Sequence, residues 1–209
     1  MRSLWFALAF VLLALCPQPP AAADEAAAVL GVGAVVQDFG LRSIDPISGA
    51  LKTVHWLSDY VGAKATNPKR VLVLSFYATW CKACVAEMPA LQRVQNQYGS
   101  QGLQILGINV RSKNEDVIAA LRLSHELMTD KAVRYPLLFD RYTQRNQALY
   151  LGDAALLPCN LVIDHNGKII ARFQGGAQAE GLAALETAIK AQLDIAASLQ
   201  PSPAPGMLR

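Results

Sequence analysis

Val71-Leu72-Val73-Leu74-Ser75-Phe76-Tyr77 is an apolar run interrupted by one serine. A run of this length without polar alternation predicts a strand buried on both faces, as in the parallel part of a sheet. Leu103 to Val110 repeats the pattern and predicts a second such strand. Between them the period changes. Val85, Met88, Leu91, Val94 and Tyr98 recur every three or four residues, which predicts a helix from Cys81 to Tyr98, ended by Gly99 and Gly102. A further helix is expected to start at Asn114 as its N-cap, with Glu115 and Asp116 in the first turn. It should run to about Met128, with Ile118, Leu121 and Met128 on one apolar side; His125 shares that side and reads as a packing histidine. Tyr135 to Phe139 reads as a short strand and Gln144 to Tyr150 as a short helix. Asn160–Asp164 and Lys168–Phe173 flank His165-Asn166-Gly167, which predicts a β-hairpin with an Asn-Gly turn. Leu182, Leu185, Ile189, Leu193 and Ala196 place a last helix over Ala179–Ala196. Upstream, partial alternation on either side of Ile47-Ser48-Gly49 predicts two short strands between Val35 and Leu57. Strands alternating with helices, closed by a hairpin and a helix, make an α/β or α+β sheet covered by helices.

The two ends break this pattern. Met1-Arg2, an uncharged apolar run from Leu4 to Leu15, and Ala21-Ala22-Ala23 before Asp24 have the layout of a secretory signal peptide. The apolar run is short for a membrane span. The expected organisation is a signal over 1–23, a flexible lead-in over 24–34, one folded domain over 35–197 and a disordered tail over 198–209, where prolines accumulate. The chain is then expected in the periplasm or bacterial cell envelope, anchored to the membrane if the first segment is retained.

Charge and composition narrow the chemistry. The formal net charge is +3 with charged residues at 17%, and no basic cluster stands out, so nucleic acid is not an expected partner. Hydrophobic residues are 53%, enough for one core in 209 residues. Removal of the signal would take Cys16 with it and leave Cys81, Cys84 and Cys159, too few for a disulfide scaffold.

Trp80-Cys81-Lys82-Ala83-Cys84 stands where a buried strand turns into a helix. The attacking species in thiol chemistry is the thiolate. Unpaired N–H groups at a helix start stabilise an anion there, so the Cys81 thiol should be acidified, and Lys82 adds to this. Cys84, one turn further in, should be more buried. Two intervening residues let the sulfurs meet across the first turn, one to attack a substrate disulfide and the other to resolve the mixed disulfide. The competing reading is half a metal site, but the other candidate ligands, Cys159, His55, His125 and His165, are scattered. Glu87 lies three residues after Cys84, on the same helix face. A partly buried carboxylate there would titrate high and could take the Cys84 proton. Trp80 offers an apolar surface beside the motif.

From Phe76-Tyr77-Ala78-Thr79-Trp80-Cys81 through Glu87-Met88-Pro89, the chain resembles the thioredoxin superfamily, and more narrowly its TlpA/ResA/CcmG group of exported disulfide reductases. The resemblance covers about residues 35–195. It implies a thioredoxin-like fold, a central mixed β-sheet flanked by helices, with an N-terminal β-hairpin and an inserted strand and helix within Gly102–Asp140. It implies that Cys81 is the nucleophile, Cys84 the resolving thiol and Glu87 the acid near the buried cysteine. The thioredoxin acid on the preceding strand is replaced here by Ser75. Pro89 matches a structural helix proline. Pro158 matches a cis-proline opposite the motif, and the backbone of Leu157 before it could pair with an extended substrate. Two positions depart from the group's pattern: Ala83 stands where proline is frequent, and Cys159 where threonine is usual. Cys159 is expected close to the other two sulfurs, as a buried filler, a substrate contact, or a third ligand for copper(I).

The resemblance implies an exported thiol–disulfide oxidoreductase that reduces disulfides of other exported proteins, apocytochrome c among them. A membrane-bound thiol donor would regenerate the dithiol. No cofactor and a monomer are expected. Two alternatives stand beside it: a copper-binding chaperone using Cys81, Cys84 and Cys159, and a disulfide oxidase or isomerase. A peroxiredoxin is set aside, because those proteins have threonine three residues before the peroxidatic cysteine and Ala78 stands there.

Overall fold

The computed structural model describes residues 29–112, 114–140, 145–152, 156–175 and 179–199. The expected signal segment and the last ten residues lie outside them. The chain forms strands β1 (Gly40–Ile44), β2 (Leu51–Trp56) and β3 (Val71–Tyr77), helix α1 (Lys82–Tyr98), strand β4 (Leu103–Asn109) and helix α2 (Val117–Asp130). Strand β5 (Leu137–Phe139), helix α3 (Arg145–Leu151), the hairpin β6 (Cys159–Asp164) and β7 (Ile169–Gln174), and helix α4 (Ala179–Ser198) complete it. α4 ends at Ser198, one residue into the stretch expected as tail. Of the expected lead-in, residues 29–34 are tied to the body: Gly33 N–H donates to the Ile169 carbonyl at 2.8 Å and Leu30 N–H to that of Leu149 at 3.1 Å.

The strands make one sheet in the order β2-β1-β5-β4-β3-β6-β7. β3 pairs parallel to β4 along its whole length and antiparallel to β6 on its other side. All seven β3 residues are buried, as the unalternating pattern predicts. Side chains alternate between two cores. Val71 and Val73 face α1, α2 and α4, where they meet Met88, Leu91, Met128, Leu185 and Ile189. Leu72, Leu74 and Phe76 face the other way, against Leu57, Tyr60 and α3 with its Tyr150. The sheet is a thioredoxin-like mixed sheet flanked by helices, with the N-terminal hairpin β1–β2 added at one edge through β5.

Two expectations for α2 are corrected. Its N-cap is Asp116, not Asn114: the Asp116 carboxylate accepts from Ala119 N–H at 2.7 Å. Glu115 belongs to the preceding loop, where its carboxylate accepts from Ser112 N–H at 3.0 Å and from Thr79 Oγ1 at 3.2 Å. An N-cap acceptor must stand at the first non-helical residue, within reach of the free N–H two or three residues on, and Asp116 is that residue. The buried stripe of α2 is Ala120, Ser124 and Met128, whereas Ile118 is 61% exposed. At about 100° per residue, Ile118 sits about 200° around the helix from Ala120. His125 packs as expected, under the β1–β2 turn, with its Nε2 at 3.1 Å from the Pro46 carbonyl. Asp116→Ala should lower stability by about 1 kcal/mol in thermal denaturation, the usual loss for an N-cap. An unchanged midpoint would remove the cap from the account.

Gly107 in β4 is required by packing. A Cβ there would lie 2.4 Å from Leu137 Cδ2 on the neighbouring strand and 3.3 Å from Tyr135 Cε2. Leu137 is fully buried and cannot swing aside. Gly107→Ala should cost about 1–3 kcal/mol in chemical denaturation through this overpacking.

Candidate active site

β3 ends at Tyr77, and the turn Ala78-Thr79-Trp80 brings Cys81 to the start of α1. Cys81 is the N-cap residue, in extended conformation, with its N–H donating to the Ala78 carbonyl at 3.1 Å. Its Sγ is bonded to that of Cys84, with the two Cα atoms 5.3 Å apart. The N–H of Cys84 is aimed at Cys81 Sγ at 3.2 Å. Cys81 is 9% exposed and Cys84 2%, so the first sulfur is the one nearer to solvent. Once the disulfide opens, the N–H and the helix-start dipole favour an anion on Cys81. Trp80 beside it is 58% exposed, and Lys82 points to solvent.

Glu87, one turn beyond Cys84, is 3% exposed. Its position is fixed from the strand beneath it. Asn160 in β6 is in register with Ser75 in β3, so its side chain rises on the α1 face. Its Nδ2 donates to Glu87 Oε1 at 2.6 Å. Among the described residues, Glu87 Oε2 and Asn160 Oδ1 have no partner. Burial pushes the Glu87 carboxyl above the ordinary carboxylate range, and the Asn160 donor pulls the other way. Sequence reasoning missed Asn160. The available signal was one amide at the start of the apolar run Leu161-Val162-Ile163, on the strand facing Ser75.

The Leu157–Pro158 peptide is cis, as the resemblance implied. Pro158 directly precedes Cys159, which pairs with Phe76, so it lies beside the end of β3 that leads into the Cys81 turn. Leu157 packs against the cluster that contains Cys81 and Cys84. Among the described residues its backbone N–H and carbonyl have no hydrogen-bond partner.

Cys159 is where expectation and structure part. Its side chain has no exposed surface and lies with Phe76, Tyr150 and Leu161 in the core on the opposite face from Cys81 and Cys84. Strand alternation is the reason: if Asn160 faces Glu87, its neighbour must face away. Burial pushes the Cys159 thiol up to about 11, against the opposing Arg172 charge and a hydrogen bond from Gln174. A substrate cannot touch this side chain, and the filler reading is the one the geometry fits. Among the described residues, no group of three or more His, Cys, Asp or Glu side chains comes together to hold a metal, so a three-cysteine copper site has no counterpart.

The family profile described as AhpC/TSA matches residues 32–172. The thiol–disulfide oxidoreductase ResA of Geobacillus thermodenitrificans is 30% identical over 141 residues, 67% of this chain and 67% of that protein. ResA of Bacillus subtilis is 32% identical over 114 residues, 50% of this chain and 58% of that protein. Among solved structures, a protein from Chlorobium tepidum assigned as thiol:disulfide interchange protein DsbE is 25% identical with a TM-score of 0.58, covering 78% of this chain and 99% of that one. A thiol:disulfide interchange protein of the thioredoxin family from Chlorobium tepidum TLS shares the fold at 21% identity, with a TM-score of 0.58, over 79% of this chain and 99% of that one.

Proposed function

Because the chain belongs to the AhpC/TSA family and is a thiol–disulfide oxidoreductase of the ResA type, we propose that it is an exported reductase that works through Cys81 and Cys84. The observation that carries this reading is the Cys81–Cys84 disulfide at the start of α1, with a helix N–H aimed at the outer sulfur.

In the reduced protein, the Cys81 thiolate attacks one sulfur of a substrate disulfide. A mixed disulfide forms, and the other substrate sulfur leaves as a thiolate. The Cys84 thiol loses its proton to Glu87, and its sulfur attacks Cys81 Sγ. The intramolecular disulfide closes and the second substrate sulfur departs. Two electrons pass from the protein dithiol to the substrate. The cycle needs an external dithiol to restore the reduced pair, and a membrane-bound thiol donor fits an exported protein. Substrates are disulfides of other exported proteins, with apocytochrome c the case that the resemblance suggests. Residues 1–23 have the sequence layout that supports export. Among the described residues, no helix is long and apolar enough to cross a membrane. The backbone of Leu157, next to the cis-proline and without a hydrogen-bond partner among the described residues, suits pairing with an extended substrate segment. A peroxide-reducing role is disfavoured by Ala78 at the position where those relatives carry threonine, and by a resolving cysteine only one helical turn away.

The reduction potential of the pair tests the direction of exchange. Trp80 fluorescence across redox buffers should give a value near that of thioredoxin, about −270 mV. A value near that of DsbA, about −120 mV, would make the protein a disulfide donor instead.

A further inference from the structure

A groove of about 430 Å³ opens beside the motif, on the flank of α1 that faces α2. It starts at Trp80, next to the nucleophile. Val85, Ala86 and Pro89 on α1 and Leu127 near the end of α2 make its floor apolar. Its charged members are Lys82 and Lys131, and no acidic side chain lines it. Among the described residues neither lysine forms an ion pair. Glu115, outside the lining, accepts a hydrogen bond from Thr79 Oγ1 at one end of the groove.

A substrate joined to Cys81 through a mixed disulfide is pinned at the mouth of this groove. An extended chain advances about 3.3 Å per residue, so the next two or three residues on one side of the target cysteine must pass over it. The Leu157–Pro158 segment packs at the same site and is not part of the groove lining. The groove therefore meets the substrate, and its own chemistry states what the substrate should carry. An apolar floor takes an aliphatic or aromatic side chain. Two unpaired ammonium groups take a carboxylate.

We propose that this groove selects disulfides whose target cysteine is flanked by an apolar and an acidic residue. The inference rests on the thiol-exchange reading above and adds the substrate class to it.

The test uses the full chain in its reduced form and two synthetic peptides. Each peptide has one cysteine held as a mixed disulfide with glutathione. They differ only beside that cysteine, Leu-Asp-Asp in one and Leu-Lys-Lys in the other. Cys81 displaces glutathione as a thiolate, and Cys84 then releases the peptide thiol, so each protein dithiol reduces one peptide disulfide. Single-turnover rates are read by fluorescence. The acidic peptide should react at least about threefold faster, the scale of one or two exposed ion pairs. Lys131→Gln should shrink the difference because Lys82 remains, Lys131→Glu should abolish it because the groove then carries one charge of each sign, and added salt should shrink the native difference. Equal native rates would overturn the proposal. So would a preference that stays undiminished in Lys131→Glu, because it would then come from the overall positive charge. A dimer that dissociates in Lys131→Glu would assign the groove to a second copy of the chain. Hydroxyethyl disulfide separates the two levels: its reduction without peptide discrimination sinks the groove alone, and failure to reduce any of the three disulfides sinks the thiol-exchange reading with it.

Discussion

Cys84→Ser should accumulate the protein covalently joined to its substrate, whereas Cys81→Ser should leave both partners unlinked and inactive. The asymmetry follows from the first turn of α1. Cys81 holds the outer position and receives the Cys84 N–H at 3.2 Å, so it is the sulfur that a substrate can reach and that the helix start stabilises as an anion. Cys84 is 2% exposed and can be met only by a sulfur already on Cys81. With serine at position 84 the first exchange proceeds, nothing resolves it, and the adduct persists on a non-reducing gel and in an intact mass spectrum. With serine at position 81, insulin-disulfide reduction should fall by roughly a thousandfold or more, the scale on which removal of a nucleophile acts. Trapping by Cys81→Ser, or steady turnover by Cys84→Ser, would reverse the assignments.

Glu87→Gln should slow turnover and at the same time stabilise the fold. The carboxylate is 3% exposed and, among the described residues, keeps one oxygen without a partner and receives one donor, from Asn160. As the base for Cys84 it should contribute on the order of a hundredfold to the resolving step. In the native protein the rate of that step should rise as Glu87 ionises. In the variant that limb should disappear, leaving the titration of Cys84 alone. Stability moves the other way. A carboxyl whose folded pKa is raised above its unfolded value holds its proton more tightly in the folded state. Stability is then greatest below the unfolded value and is lost as the pH rises towards the folded one. Glutamine carries no charge and keeps an oxygen for the Asn160 donor. The variant should be more stable than the native protein at neutral pH, because it has no charge to bury. The gap should close on acidification, when both side chains are neutral. Denaturation curves at neutral and acid pH decide this: a gap independent of pH, or a turnover profile unchanged in shape, would take Glu87 out of the mechanism.

The sequence by itself determined the elements and the reactive pair. Seven apolar residues at β3, a period of three to four through α1 and an Asn-Gly turn between β6 and β7 are local properties, and each is legible where it stands. The placement of Cys81 and Cys84 across a first helical turn follows from their spacing alone. What tertiary structure decided depends on which face a residue presents and on what lies across the sheet. Cys159 and Asn160 are neighbours in the chain, yet register sends one into the core against Phe76 and the other to Glu87, 73 residues away. Local pattern reports that both avoid water, and it carries no information about which side of the sheet each enters. The α2 cap and buried face shifted for a related reason. Several acidic or amide residues could have capped that helix, and the loop around Thr79 engaged Glu115 and left Asp116 to do so. The groove between α1 and α2 exists only because two helices distant in sequence pack on the same face of one sheet. Periodicity along a chain records burial, whereas a site is made by the pairing of segments, and pairing is settled only when the whole sheet has closed.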